Sequence, residues 1–122
     1  MRIAVRHLPL AVVHTLALPA AESLEAAGAQ GAFFELLDRL ARVAPADEET
    51  LLKSASGSVP DPERLLAEVS DGVHRARVIE HIGYATESGV SAIPEVYIER
   101  GHYAGVVKND ALSYALDEYA SR

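Results

Sequence analysis

Helix-starting and helix-ending residues recur so closely between Pro19 and Gly89 that this stretch is cut into segments fit only for short helices. Pro19 suits the first turn of a helix over "PAAESLEAAG", whose alanines favour helix and whose Gly28 can end it. "QGAFFELLDRLARVA" places Phe33, Phe34, Leu37 and Leu40 near one stripe, with Glu35, Asp38, Arg39 and Arg42 largely elsewhere, which predicts an amphipathic helix. Asp47 or Glu48 opens a short helix through "ETLLKSAS", and "SGSVPDP" is a turn-rich connector. Asp61 as N-cap, with Pro62 at the first helical position, starts a helix over "PERLLAEVSDG". A longer helix is expected from Val73 to Glu87, with Val78, Ile82 and Ala85 at helical spacing and Gly89 as its stop.

The flanks read as extended chain. "RIAVRHL" alternates Ile3, Val5 and His7 against Arg2, Ala4, Arg6 and Leu8, a period-two pattern that predicts a strand ended by Pro9. "EVYIE" and "HYAGVV" are strand candidates separated by Arg100 and Gly101, a hairpin signal, and Asn109 can cap a last helix over "DALSYALDEYAS". The expected order is strand, helices, hairpin, helix, a helix-rich α/β arrangement. At 122 residues this fits one domain spanning residues 1–122, with a helical insertion over about 29–88.

Composition narrows the function. The hydrophobic fraction of 49% with 24% charged residues is that of a folding globular chain. A net charge of -7, with 11 Lys and Arg and no basic cluster, gives phosphate backbones and anionic lipid nothing to hold, so nucleic acid is not an expected partner. No stretch approaches the roughly 20 apolar residues that span a bilayer, so no membrane insertion is expected. "MRIAVRHLPLAVVHTLALPAA" has the early arginines and apolar middle of a secretory signal, but His7, Pro9 and His14 interrupt it. The expected location is cytoplasmic, or secreted if that segment is a signal peptide. The chain has no cysteine, which excludes disulfides, thiolate nucleophiles and Cys-type zinc sites.

Several stretches, in order, resemble DsbA-like thioredoxin-fold proteins. "VRHLPL" with His14 looks like the strand after the family's redox helix, and "GAQGAFFELLDRL" looks like its Gln-Gly-x-Phe-Trp helix. "VPDPERLLAEV" is similar to its Leu-Asp-x-x-Arg-Phe segment, and "SGVSAIPEVYIERGHYAG" to Ser-Gly-Val-x-Gly-Thr-Pro followed by a hydrophobic strand and Tyr-x-Gly. The chain departs from the family by beginning after the Cys-x-x-Cys unit. Phe34 stands where Trp is frequent, Leu37 where His is common, and "SAIP" where "GTP" is usual. The resemblance implies a truncated thioredoxin-like, DsbA-type fold with a small three-stranded sheet and an inserted helical subdomain. It further implies a cis peptide at Pro94 and a peptide-binding loop formed by Ser91, Ala92, Ile93, Pro94 and Tyr97. Read without the resemblance, Pro94 is a trans proline that begins a strand.

If the sheet closes over the lost strand, residues 2–6 face residues 95–99: Arg2 with Glu99, Ile3 with Ile98, Ala4 with Tyr97, Val5 with Val96, Arg6 with Glu95. Such cross-strand pairs contribute roughly 0.2–1 kcal/mol each. An incomplete sheet can also recruit a second copy of the chain.

Other chemistry finds little support. His74 and His81, seven apart, can share a helix face, but zinc needs three or four converging ligands and no motif supplies them, so no metal is expected. His7, His14 and His102 read as local polar or capping residues. Ser88 and Ser91 have no identifiable base and read as turn residues. The expectation is therefore a redox-inactive DsbA-like domain, with no catalytic residues and no cofactor, that binds a peptide or protein or forms a homodimer. Two alternatives stand beside it: a remnant or mis-started thiol-disulfide oxidoreductase whose Cys-x-x-Cys part lies upstream, and a thiol-free glutathione-type transferase or isomerase. Domains of this family also occur appended to sodium/proton antiporters, so the chain also reads as the detached end of a longer protein.

Overall fold

The computed structural model describes residues 2–9, 15–90, 96–98, 101–103 and 117. The chain divides into two compact units, Met1–Ala85 and Thr86–Arg122.

The first unit is built on helices. α1 covers Ala17–Ala29, α2 Phe33–Val43, α3 Glu48–Ser56, α4 Pro62–Ser70, and α5 Arg75–Glu87 continues into the second unit. Local chemistry sets most of these boundaries. Pro19 lies in the first turn of α1, where an N–H would have no helical partner, and its carbonyl accepts from Ser23 Oγ at 2.8 Å. Asp47 caps α3 by accepting from the Thr50 amide at 2.7 Å, and Asp61 caps α4 by accepting from the Arg64 amide at 3.1 Å behind Pro62. α5 starts at Arg75, later than the sequence pattern suggests, because Gly72 adopts φ 66° and turns the chain out of α4. Gly89, at φ 76°, follows its end.

The core lies where α1, α2, α3 and α4 meet. Leu24, Ala26, Ala27, Ala32, Leu36, Ala55, Leu65 and Val69 are buried together, with Phe33, Leu37, Leu40, Leu52 and Val59 packed against them. Ala26 and Ala27 have no exposed surface, so neighbouring backbones approach α1 closely. The stripe on α2 runs through Phe33, Leu36, Leu37 and Leu40, with spacings of three, four and seven; Phe34 falls off it and is 57% exposed. Gln30 joins two helix ends. Its Nε2 donates to the Asp61 carbonyl at 3.0 Å, and its Oε1 accepts from the Asp61 amide at 2.9 Å.

In the second unit, β1 (Val96–Ile98) pairs antiparallel with β2 (Gly101–Tyr103), with Val96 opposite Tyr103 and Ile98 opposite Gly101. The hairpin forms, with β2 beginning at Gly101 itself.

The α/β thioredoxin-like expectation is overturned. Among the described residues the architecture is helical, and the hairpin's sheet has two strands, not three. Residues 2–9 carry no strand, so the edge strand that the closed sheet needed from Arg2 to Arg6 is not formed, and its expected partners Glu95 and Glu99 lie outside the described residues. The reason lies in burial. Alternation would put Ile3, Val5 and His7 on one inward face, yet Ile3 is 65% exposed while His7 is buried. A strand also needs an adjacent strand to satisfy its backbone groups, and β1 takes β2 as its neighbour. Ser91, Ala92, Ile93 and Pro94, the binding loop expected from the sequence, lie outside the described residues, as do His14 and the capped C-terminal helix apart from helical Asp117. Tyr97 is placed by its backbone, opposite His102.

Candidate functional site

Helix α1 presents two carboxylates one turn apart, and α5 opens with "RAR". Glu22 and Glu25 are three residues apart and so share a face. Arg75 Nε lies 3.3 Å from Glu22 Oε1 and Arg77 Nε 3.2 Å from Glu25 Oε2. The Glu22 side chain is only 3% exposed, whereas Arg75 reaches solvent. Val78, one turn beyond Arg75, is fully buried. The α1–α5 contact is therefore largely one of charges.

The N-terminal arm, residues 2–9, is seated at the same place. His7 is buried, and its Nε2 lies 2.9 Å from Glu25 Oε1. Its backbone amide donates to Nδ1 of His81 at 3.2 Å. The two imidazoles stack with centroids 5.1 Å apart and planes 19° apart, and Phe33 tilts against His7 at 5.9 Å. His7, Glu25 and His81 thus bring one donor atom each within 4.8 Å of one another.

Such a trio has the side chains of a two-histidine, one-carboxylate metal site. Its geometry argues for protons instead. Nearly parallel rings send their in-plane lone pairs side by side, and a metal needs them to converge. The Nδ1 lone pair of His81 is already committed to the His7 amide, and both Glu25 oxygens are engaged. A neutral imidazole with Nδ1 accepting carries its hydrogen on Nε2, so the contact fixes the tautomer of His81. Burial holds the His81 imidazole below its ordinary value of 6.5; the His7 ring, Arg77 and Arg6 push the same way, against the pull of Glu25.

Sequence reasoning did not find this cluster. The sequence pattern makes His7 a local polar residue and leaves His74 and His81 as helix histidines that could share a face, whereas His81 is buried against His7 and His74 approaches Glu68 at 3.3 Å. The signal that could have found it was the unusual content of the arm. A histidine takes an inward place in an otherwise apolar alternation and needs a polar partner wherever it is buried.

Two curated relatives are similar to the chain. The Na(+)/H(+) antiporter NhaA 1 of Salinispora arenicola is 37% identical over 115 residues, which is 91% of this chain and 17% of that protein. The Na(+)/H(+) antiporter NhaA 3 of Salinispora tropica is 36% identical over 115 residues, again 91% of this chain and 17% of that protein. The chain therefore spans less than a fifth of the length of the curated relatives it matches. No protein-family model matches it, and no solved structure matches it. These relatives overturn the DsbA-like assignment and the functions drawn from it. Both are named for ion exchange, and neither for thiol, disulfide, glutathione or peptide-binding chemistry. Antiporters belong to membranes, so the cytoplasmic or secreted location is set aside as well. Among the described residues, no helix is long and apolar enough to cross a membrane.

Proposed function

We propose that this chain is a portion of an Na+/H+ antiporter-type protein that lies outside the bilayer and takes no direct part in moving ions. The observation that carries the reading is the coverage: 91% of the chain aligns with 17% of an antiporter. It is supported by helices of 9 to 13 residues whose buried faces meet one another, where spanning an apolar core of about 30 Å takes about 20 residues. In this reading residues 1–122 act as one domain, and their partner is the remainder of an antiporter-type chain. A homodimer or a peptide partner is compatible with that arrangement. Nucleic acid is not, at a net charge of -7.

The test exploits the lack of cysteine. This chain replaces the aligned segment of the Salinispora arenicola antiporter, with single cysteines introduced at the exposed positions Glu49 and Glu80. Full reaction with a membrane-impermeant maleimide, with Na+/H+ exchange retained in vesicles, is the expected result. Cysteines shielded by lipid would overturn the extramembrane placement. Full labelling with exchange abolished in a normally inserted chimaera would overturn the antiporter assignment.

A further inference from the structure

We propose that His81 is a proton-operated catch for the N-terminal arm: a proton arriving at its Nδ1 expels His7 from its seat and frees residues 2–9, while α1–α4 stay folded. The proposal stands apart from the antiporter reading and needs only the described geometry.

Nδ1 of His81 is the acceptor for the backbone amide of His7. Protonation converts that acceptor into a donor, so two N–H groups face each other at 3.2 Å inside a buried contact. The new imidazolium also lies against the stacked ring of His7. From the arm, His7 and Arg6 bear on His81; from its own helix, Arg77 does; from α1, Glu25 does. Glu25 is the one carboxylate in that set, and its oxygens already serve His7 at 2.9 Å and Arg77 at 3.2 Å. The charge on His81 is therefore poorly compensated as long as the arm stays docked.

Release is local because the arm and the core are held by different forces. The hydrogen bonds, ion pair and ring contacts described between the arm and the helices all run through His7. The α1–α4 cluster is made of Leu, Ala and Val, which no proton alters. The sign of the pH effect follows. Docking depresses the affinity of His81 for protons, so the released state binds more of them. The docked arm is fully favoured above about pH 6.5 and loses that advantage as pH falls below it.

The experiment is hydrogen exchange of the 122-residue chain, read by mass spectrometry at about pH 7.5 and about pH 5, each corrected for intrinsic exchange. The amide of His7, which donates to His81, is expected to lose protection by roughly tenfold for each pH unit between the docked and free values of His81. The amides of α1–α4 should hold. His81→Asn offers an acceptor that takes no proton, and it should keep the arm protected at both pH values. Arm protection that is independent of pH in the wild type, or equally pH-dependent in His81→Asn, would overturn the proposal. So would loosening of arm and core together. If His81→Asn does not fold by circular dichroism, ring-proton NMR of the wild type decides: His81 titrating in step with arm release supports the catch, and titration at a different pH refutes it. Zinc that shifts both ring resonances and protects the arm in acid would make the cluster a metal site and refute it equally.

Discussion

The two faces of α1 are held to their neighbours in opposite ways. One carries Leu24 and Ala27 into an apolar cluster with α2, α3 and α4; the other offers Glu22 and Glu25 to the arginines of α5 and to His7 of the arm. Apolar burial is indifferent to pH and weakly sensitive to salt, whereas the charged face responds to both. A single helix thus separates contacts that pH leaves unaltered from contacts that respond to it.

That contrast can be broken by substitution. The largest effect belongs to the apolar side: Leu36→Ala, at a fully buried position, should cost about 2–5 kcal/mol in urea unfolding. The loss should be the same at low and high salt; a strong salt dependence would mean that charge reaches into the core. On the other side, Arg75→Ala leaves the Glu22 carboxylate buried without its cation and should cost roughly 1–3 kcal/mol, less in high salt because Arg75 is half exposed. Adding Glu22→Gln to Arg75→Ala should recover part of that loss. A double variant no more stable than Arg75→Ala would show that Glu22 is not held by this pair. Asp61→Ala removes the cap of α4 and should cost about 1 kcal/mol, measured as a shift in the urea midpoint. The exposed pair of Asp38 and Arg42 on α2 marks the lower end: Arg42→Ala should change stability by less than about 0.5 kcal/mol in the same assay.

The same division explains what was legible in the sequence. Caps and stops act over three or four residues, so Asp47, Asp61 with Pro62, and Gly89 could be read directly as helix boundaries. The stripe through Phe33, Leu37 and Leu40 was likewise visible, though its centre proved to be Leu36, with Phe34 turned outward. The arm was not legible. Its alternation satisfies the rule for a strand, but its fate depends on His7 meeting Glu25, 18 residues away, and His81, 74 residues away. Periodicity carries no information about contacts at that range. The family resemblance did not supply it either, because short motifs around a proline and a hairpin can be shared by chains whose remaining architecture differs.

Ala26 and Ala27 have a further consequence for how this sequence can change. With both side chains wholly enclosed, any larger residue there must be met by a smaller one on α2 or α4 in the same step. Substitutions along this contact are therefore coupled, and the chain's history at α1 is expected to advance in pairs on that face while single changes accumulate freely at exposed positions such as Asp38 and Arg42.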